Sequence, residues 1–274
     1  PVRADTLCVK PGGGGGCLAS INAALALAQA GDTIQVAGGM YVENVVISET
    51  VYLKGGWAPD LSIQDPDVFS STIQPADNTQ SVVTIQGQFG DWDAVAPTLE
   101  GFVISGGRAD LGSNHGGGLQ IRDSNARVIS NTIKDNVAFF LGGGVWVQRG
   151  APVLQGNHIT DNESVGLGQE ASGGGVQLEN TQATLMDNLI ARNTISATQA
   201  YGGGIEISGS GPGQVTLLGN LFISNTALIG SDGEPDDFGY GGAIAVSSGQ
   251  VRLEDSIVIS NVAATGGGVF LGGS

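Results

Sequence analysis

A Gly-Gly-Gly-apolar-x-apolar segment recurs six times in the second half of this chain, once with Ala as its third residue. It reads GGGLQI from Gly116, GGGVWV from Gly142, GGGVQL from Gly173, GGGIEI from Gly202, GGAIAV from Gly241 and GGGVFL from Gly266. An Asn follows the first Gly by 20 residues in four of the copies, at Asn136, Asn162, Asn193 and Asn261. In the copy that leads to Asn225 the offset is 23, and the Gly211-Pro212-Gly213 insertion accounts for the difference. A fixed internal period of this kind specifies a stacked solenoid, in which each repeat buries its apolar face only against its neighbours.

Within each copy the apolar residues alternate, as in Val145 and Val147 or Ile205 and Ile207. Period two marks a strand with one buried face. A second strand follows, as at Val128-Ile129 or Val215 to Leu217, and a third, as at Thr132-Ile133, His158-Ile159 and Leu221 to Ile223. Triplet Gly and β-branched residues both oppose helix. Three short strands per turn therefore predict an all-β parallel β-helix. Asn131, Asn157, Asn188 and Asn220 precede the later Asn by five positions, so there are two Asn columns. The expectation is that these residues take the left-handed backbone of a one-residue bend and stack their amides as a ladder. Gly101 and Gly106 keep the same spacing, and are read as Gly replacing Asn at the bends.

The 274 residues contain no linker-like stretch, so one elongated domain over 1–274 is expected. Residues 1–32 form its N-terminal cap, 33–115 its irregular first coils and 116–274 its regular Gly-rich coils. Roughly eight coils at ~4.8 Å each make a rod about 40 Å long. Ser20 is placed to cap a short helix carrying Ile21, Ala24, Leu25 and Ala28 on one face, with Gly31 as its stop. That helix plugs the open end of the solenoid. Strands are expected at 33–36, 42–47 and 51–53. The formal charge is −16 and basic residues occur singly, which disfavours nucleic acid and anionic membranes. No apolar run is long enough to cross a bilayer. Cys8 and Cys17 flank the glycines 12–16, and their closure into a disulfide favours an oxidising, extracellular or cell-surface compartment. No signal peptide is visible, as in a mature or trimmed chain.

The run SINAALALAQAGDTIQVAGGMYVENVVISETVYLKGGW resembles the opening of secreted right-handed β-helix proteins of the pectate-lyase-like superfamily. The triplet-Gly strands and Phe222-Ile223-Ser224-Asn225 are similar to the GGAI and FxxN repeats of polymorphic outer membrane proteins, which act as surface adhesins. The resemblance implies a right-handed, single-stranded helix. It does not fix a function, because the superfamily mixes lyases, hydrolases, epimerases, adhesins and structural proteins.

No catalytic constellation is apparent. Arg122, Arg149 and Arg192 are not at matching repeat positions with facing carboxylates, and Glu179 and Glu206 are read as single charges. His115 and His158 lack hydrolase-type flanks, and Trp57, Trp92 and Trp146 are expected to pack rather than to stack on sugars. The segments 163–172, 194–201 and 226–240 vary in length and are read as loops forming one contact ridge. The last holds Asp232, Glu234, Asp236 and Asp237, a solvated acidic loop with Ca²⁺ ligation as the alternative. The chain stops one strand into a new coil, so the expectation is either a longer natural polypeptide or self-association through that edge. The functional expectation is a non-enzymatic surface, adhesive or structural rod whose partner is a protein or polysaccharide. The alternative is a polysaccharide lyase or hydrolase, marked by three or more titratable side chains projecting from adjacent coils on one face.

Overall fold

The computed structural model describes residues 4–109, 115–209, 213–229 and 238–272. Every pairing between its strands is parallel, and equivalent strands of successive coils stack in register. The regular coils hold four strands, not three. In the coil beginning at Val145 they are Val145–Gln148, Val153–Gln155, His158–Thr160 and Glu163–Val165. The fourth belongs to a six-stranded sheet that the sequence reading treated as loop. Its strands are short, two to four residues each, so none is long enough to show an alternating pattern. Their pairing is imposed by the neighbouring coil, as when Thr194 N donates to Asn162 O at 2.9 Å.

The inward columns make one continuous core. Val145, Val147, Leu154 and Ile159 are fully buried, as are Val176, Leu178, Leu185 and Ile190 one coil on. At the N-terminal end the helix α1 (Ile21–Leu25) lays Ile21 and Ala24 over the first coil. It is one turn shorter than the apolar spacing suggested. Ser20 Oγ accepts from Ala23 N, and Glu43 accepts from Ser20 Oγ and from the N–H groups of Ile21 and Asn22. This satisfies the donors that a helix start leaves open. Cys8 and Cys17 are joined as a disulfide.

Two Asn columns turn the corners on either side of the strand His158–Thr160. Asn162 is representative. Its Oδ1 accepts from both the backbone N–H of Asn136 (3.1 Å) and the Asn136 side-chain amide (3.0 Å). Its own Nδ2 donates to Ile133 O (2.9 Å) and to Asn193 Oδ1 (3.0 Å). Every polar atom of the side chain is thus used, although the residue is 1% exposed. The column continues through Asn225 to Asn261. The companion column runs Asn131, Asn157, Asn188, Asn220 and then passes to Ser256.

The left-handed bend does not fall on these Asn. It falls on the residue before each: Ser130, Gly156, Asp187 and Gly219 in one column, Asp135, Asp161, Arg192 and Ser224 in the other. A residue at positive φ turns the chain through a corner, and the next side chain is thereby turned inward, where an amide can stack. Gly101 and Gly106 accordingly pair with Ser130 and Asp135 rather than with the ladder Asn. Phe102 and Gly107 occupy the ladder places in that coil, and donate their N–H groups to Asn131 and Asn136. The Gly triplets fit the same corner. Gly142 has φ +67, and a Cβ on Gly144 would lie 2.8 Å from the Asn162 amide nitrogen and 2.7 Å from Gly175 O.

Replacing Asn162 by Ala orphans the Asn136 backbone N–H and one of the two N–H groups of its side-chain amide, the other still bonding Ile104 O, and takes a donor from the Ile133 carbonyl. At about 1–3 kcal/mol per orphaned buried group, Asn162→Ala is expected to cost roughly 3 kcal/mol or more. Asn180→Gly, at an outward left-handed position, should stay within about 0.5 kcal/mol. Urea unfolding of the two variants checks the difference.

Candidate functional site

In the strand after each Gly triplet the middle residue points away from the core. In register these residues are Gln120, Trp146, Gln177, Glu206, Ala245 and Phe270. Outward positions of a solenoid ordinarily meet water. Here the first five are between 0% and 5% exposed. The cover comes from the residues just before the triplets. The His115 ring meets Trp146 edge-on at 5.0 Å, Tyr201 stacks on Tyr240 at 5.0 Å, and Tyr240 packs on Phe270 at 4.6 Å. From the other side the Arg122 guanidinium lies over the Trp146 ring at 5.0 Å.

The same cover explains the segments read as a loop ridge. They contain Glu163–Val165, Thr194–Ala197 and Thr226–Ile229 of the fourth sheet. They also contain a three-stranded sheet, Glu170–Ser172, Gln199–Tyr201 and Phe238–Tyr240. Ala171, Ile195, Ala197, Ala200 and Ala227 form a second small core beneath it. The described residues of these segments therefore form a packed roof.

The roofed face is polar at its centre. Gln177 Nε2 donates to Glu206 Oε2 and, at 3.0 Å, to Ser208 Oγ. Burial pushes the Glu206 carboxyl up to about 7, against hydrogen bonds from Ser247, Gln177 and Ser208, and the Glu170 charge adds to the rise. His115 is held below its ordinary value by burial and then by Arg122, with Glu179 opposing. Among the described residues five buried side-chain polar atoms lack a partner, and four are on this face: His115 Nδ1, Arg122 Nε, Trp146 Nε1 and Gln177 Oε1. Native interiors rarely tolerate such a concentration.

The charged residues are less scattered than their sequence positions suggested. Arg149 grips Asp123 of the preceding coil through two bonds, 2.5 and 2.8 Å. Arg192 holds Asp161 in the same way at 2.7 and 2.6 Å. Both pairs link left-handed bend residues of adjacent coils, so the expectation that these arginines lack facing carboxylates is overturned. Identical backbone corners align identical places, and a four-strand coil brings those places into register even where loop lengths differ. Arg122 and Glu206, each expected to stand alone, are gathered here with Gln120, Gln177 and Ser208, which the sequence did not single out. The signal was present, in that Trp, Ala and Phe at outward positions of successive repeats mark a covered face.

Trp146 is packed, at 1% exposure. His158 is exposed in its strand. Asp232, Glu234, Asp236 and Asp237 lie outside the described residues. Among the described residues no three His, Cys, Asp or Glu side chains gather as a metal site.

A carboxyl raised to about 7 gives a signed pH dependence. Below its ordinary 4.5 it is protonated in both states, and between 4.5 and 7 only the folded chain keeps the proton. Folded stability therefore falls across that window, by on the order of 3 kcal/mol in total. Glu206→Gln is expected to remove this part of the slope, measured by urea unfolding from about pH 5 to about pH 8.

No curated protein and no solved structure matches the chain. Residues 98–258 match the family described as "Right handed beta helix region". That span covers more than half of the 274 residues and most of the stacked coils just described, and the chain belongs to that right-handed β-helix family.

Proposed function

We propose that this protein is a non-enzymatic, extracellular β-helix that serves as a cell-surface, adhesive or structural rod. The observation that carries this reading is the roof. A solenoid that processes polysaccharide needs an open groove along one strand face, with reacting groups reachable by substrate. The face that gathers Glu206, Glu179, Arg122 and His115 is instead closed by the chain's own rings and by a small sheet. Trp146, the residue best suited by type to stack on a sugar, has its ring occupied by His115 and Arg122. The Tyr201 and Tyr240 rings face each other along the axis and so offer edges rather than faces to solvent.

The disulfide favours an oxidising compartment, and the net charge of −16 favours a soluble, repelling surface. Kinship with secreted pectate-lyase-like solenoids and with adhesin repeats of the GGAI and FxxN type belongs to this proposal. So does a protein or polysaccharide partner. Self-association is part of it as well, because Leu253, Val269 and Leu271 stand in inward columns but are 42%, 39% and 72% exposed. Their counterparts one coil earlier, Leu217, Ile244 and Val246, are between 0% and 7% exposed. A neighbouring coil, from this chain or another, is what would cover them.

The lyase or hydrolase reading has one observation in its favour, the gathering of titratable groups on adjacent coils. Release of reducing or unsaturated sugars from acidic polysaccharides, with and without Ca²⁺, separates the two. The rod predicts no release above a buffer control. Turnover that disappears in Glu179→Gln or Glu206→Gln would replace the rod with an enzyme.

A further inference from the structure

We propose that Ser208 and Gln177 form an intramolecular ester that joins two adjacent coils, with Glu206 as the proton carrier. The three side chains stand in one hydrogen-bonded group. Gln177 Nε2 reaches Ser208 Oγ at 3.0 Å and also bonds the Glu206 carboxyl. That carboxyl in turn bonds the hydroxyls of Ser208 and Ser247. The group therefore holds a nucleophile, an acyl carbon and a carboxyl that touches both the attacking oxygen and the departing nitrogen. Nucleophilic attack requires this combination.

The pairing also crosses the right boundary. Gln177 and Glu206 are register partners on successive coils, and Ser208 ends the same strand as Glu206. Fixed backbones on both sides hold the reactants together without further loss of motional freedom. Gln177 and Glu206 are each 2% exposed, so water competes poorly as a nucleophile. Gln177 Oε1 accepts no hydrogen bond, and the indole N–H of Trp146, its register partner on the preceding coil, donates none. Neither group is committed to another partner.

In the step, Ser208 Oγ attacks Gln177 Cδ while its proton passes to Glu206. The Oγ–Cδ bond forms and the Cδ–Nε2 bond breaks. Glu206 returns the proton to the leaving nitrogen, ammonia departs, and no oxidant or co-reactant is consumed. A carboxyl is suited to both transfers when it is not fixed in one ionisation state near neutrality. The inference does not depend on what the rod binds.

Intact-mass spectrometry of the purified protein, after incubation near neutral pH, tests it. The expected result is a species lighter than the sequence by one ammonia. Trypsin should leave peptides 150–192 and 193–252 joined, since Gln177 is in the first and Ser208 in the second. Hydroxylamine should then separate them, as it does an ester. Ser208→Ala, a small change at a half-buried position, should keep full mass and yield two free peptides. Glu206→Gln should slow the loss of ammonia at least tenfold. Full sequence mass in the wild-type protein after prolonged incubation overturns the proposal. So does a loss of ammonia that persists in Ser208→Ala.

Discussion

The fold depends on one hydrogen-bonded unit, the Asn side chain whose oxygen accepts two N–H groups from the coil before it. Asn162 bonds the backbone and side chain of Asn136 through one atom, and returns its own amide to Ile133 and Asn193. A one-residue corner breaks the regular ladder of the flanking strands, and buried backbone groups there need other partners. The Asn columns supply them through the regular coils, from Asn131 to Asn220 and from Asn136 to Asn261. They also explain the glycines, because the third Gly of a triplet lies against the amide of the Asn162 column, with no room for a side chain at Gly144.

The corners fix the faces. With the bends aligned along the axis, every strand position of one coil sits over the same position of the next. The inward positions then build a continuous aliphatic core. The outward row Gln120, Trp146, Gln177 and Glu206 is gathered by the same register. A roof over that row removes it from water, raises the Glu206 carboxyl and leaves four polar atoms without partners. The polar cluster is thus a consequence of stacking combined with cover, and neither alone would produce it.

Much of this was legible in the sequence. The solenoid, the inward columns, the positions of the two Asn columns and the capping helix followed from period, alternation and spacing. The left-handed residue was misplaced by one, because Asn and Gly share a tolerance for positive φ and spacing alone does not say which neighbour turns. Ser130 and Arg192 hold that conformation here despite weak intrinsic preference. The fourth strand and the roof were read as loops because Glu163–Val165 and Glu170–Ser172 have little apolar content. Their conformation is set by pairing with other coils, which local sequence does not encode. The Arg149–Asp123 and Arg192–Asp161 pairs were missed for the same reason, since only the three-dimensional register reveals that their positions correspond.

Native-state hydrogen exchange at the corners tests the central claim most directly. Backbone amides of Asn136, Asn157, Asn162, Asn188 and Asn193 each donate to the Asn oxygen of the following coil. If those bonds hold the coils together, these amides exchange as slowly as the amides of Val147 and Leu178 in the core strands. Exchange at the rate of solvent-exposed bends would contradict the account.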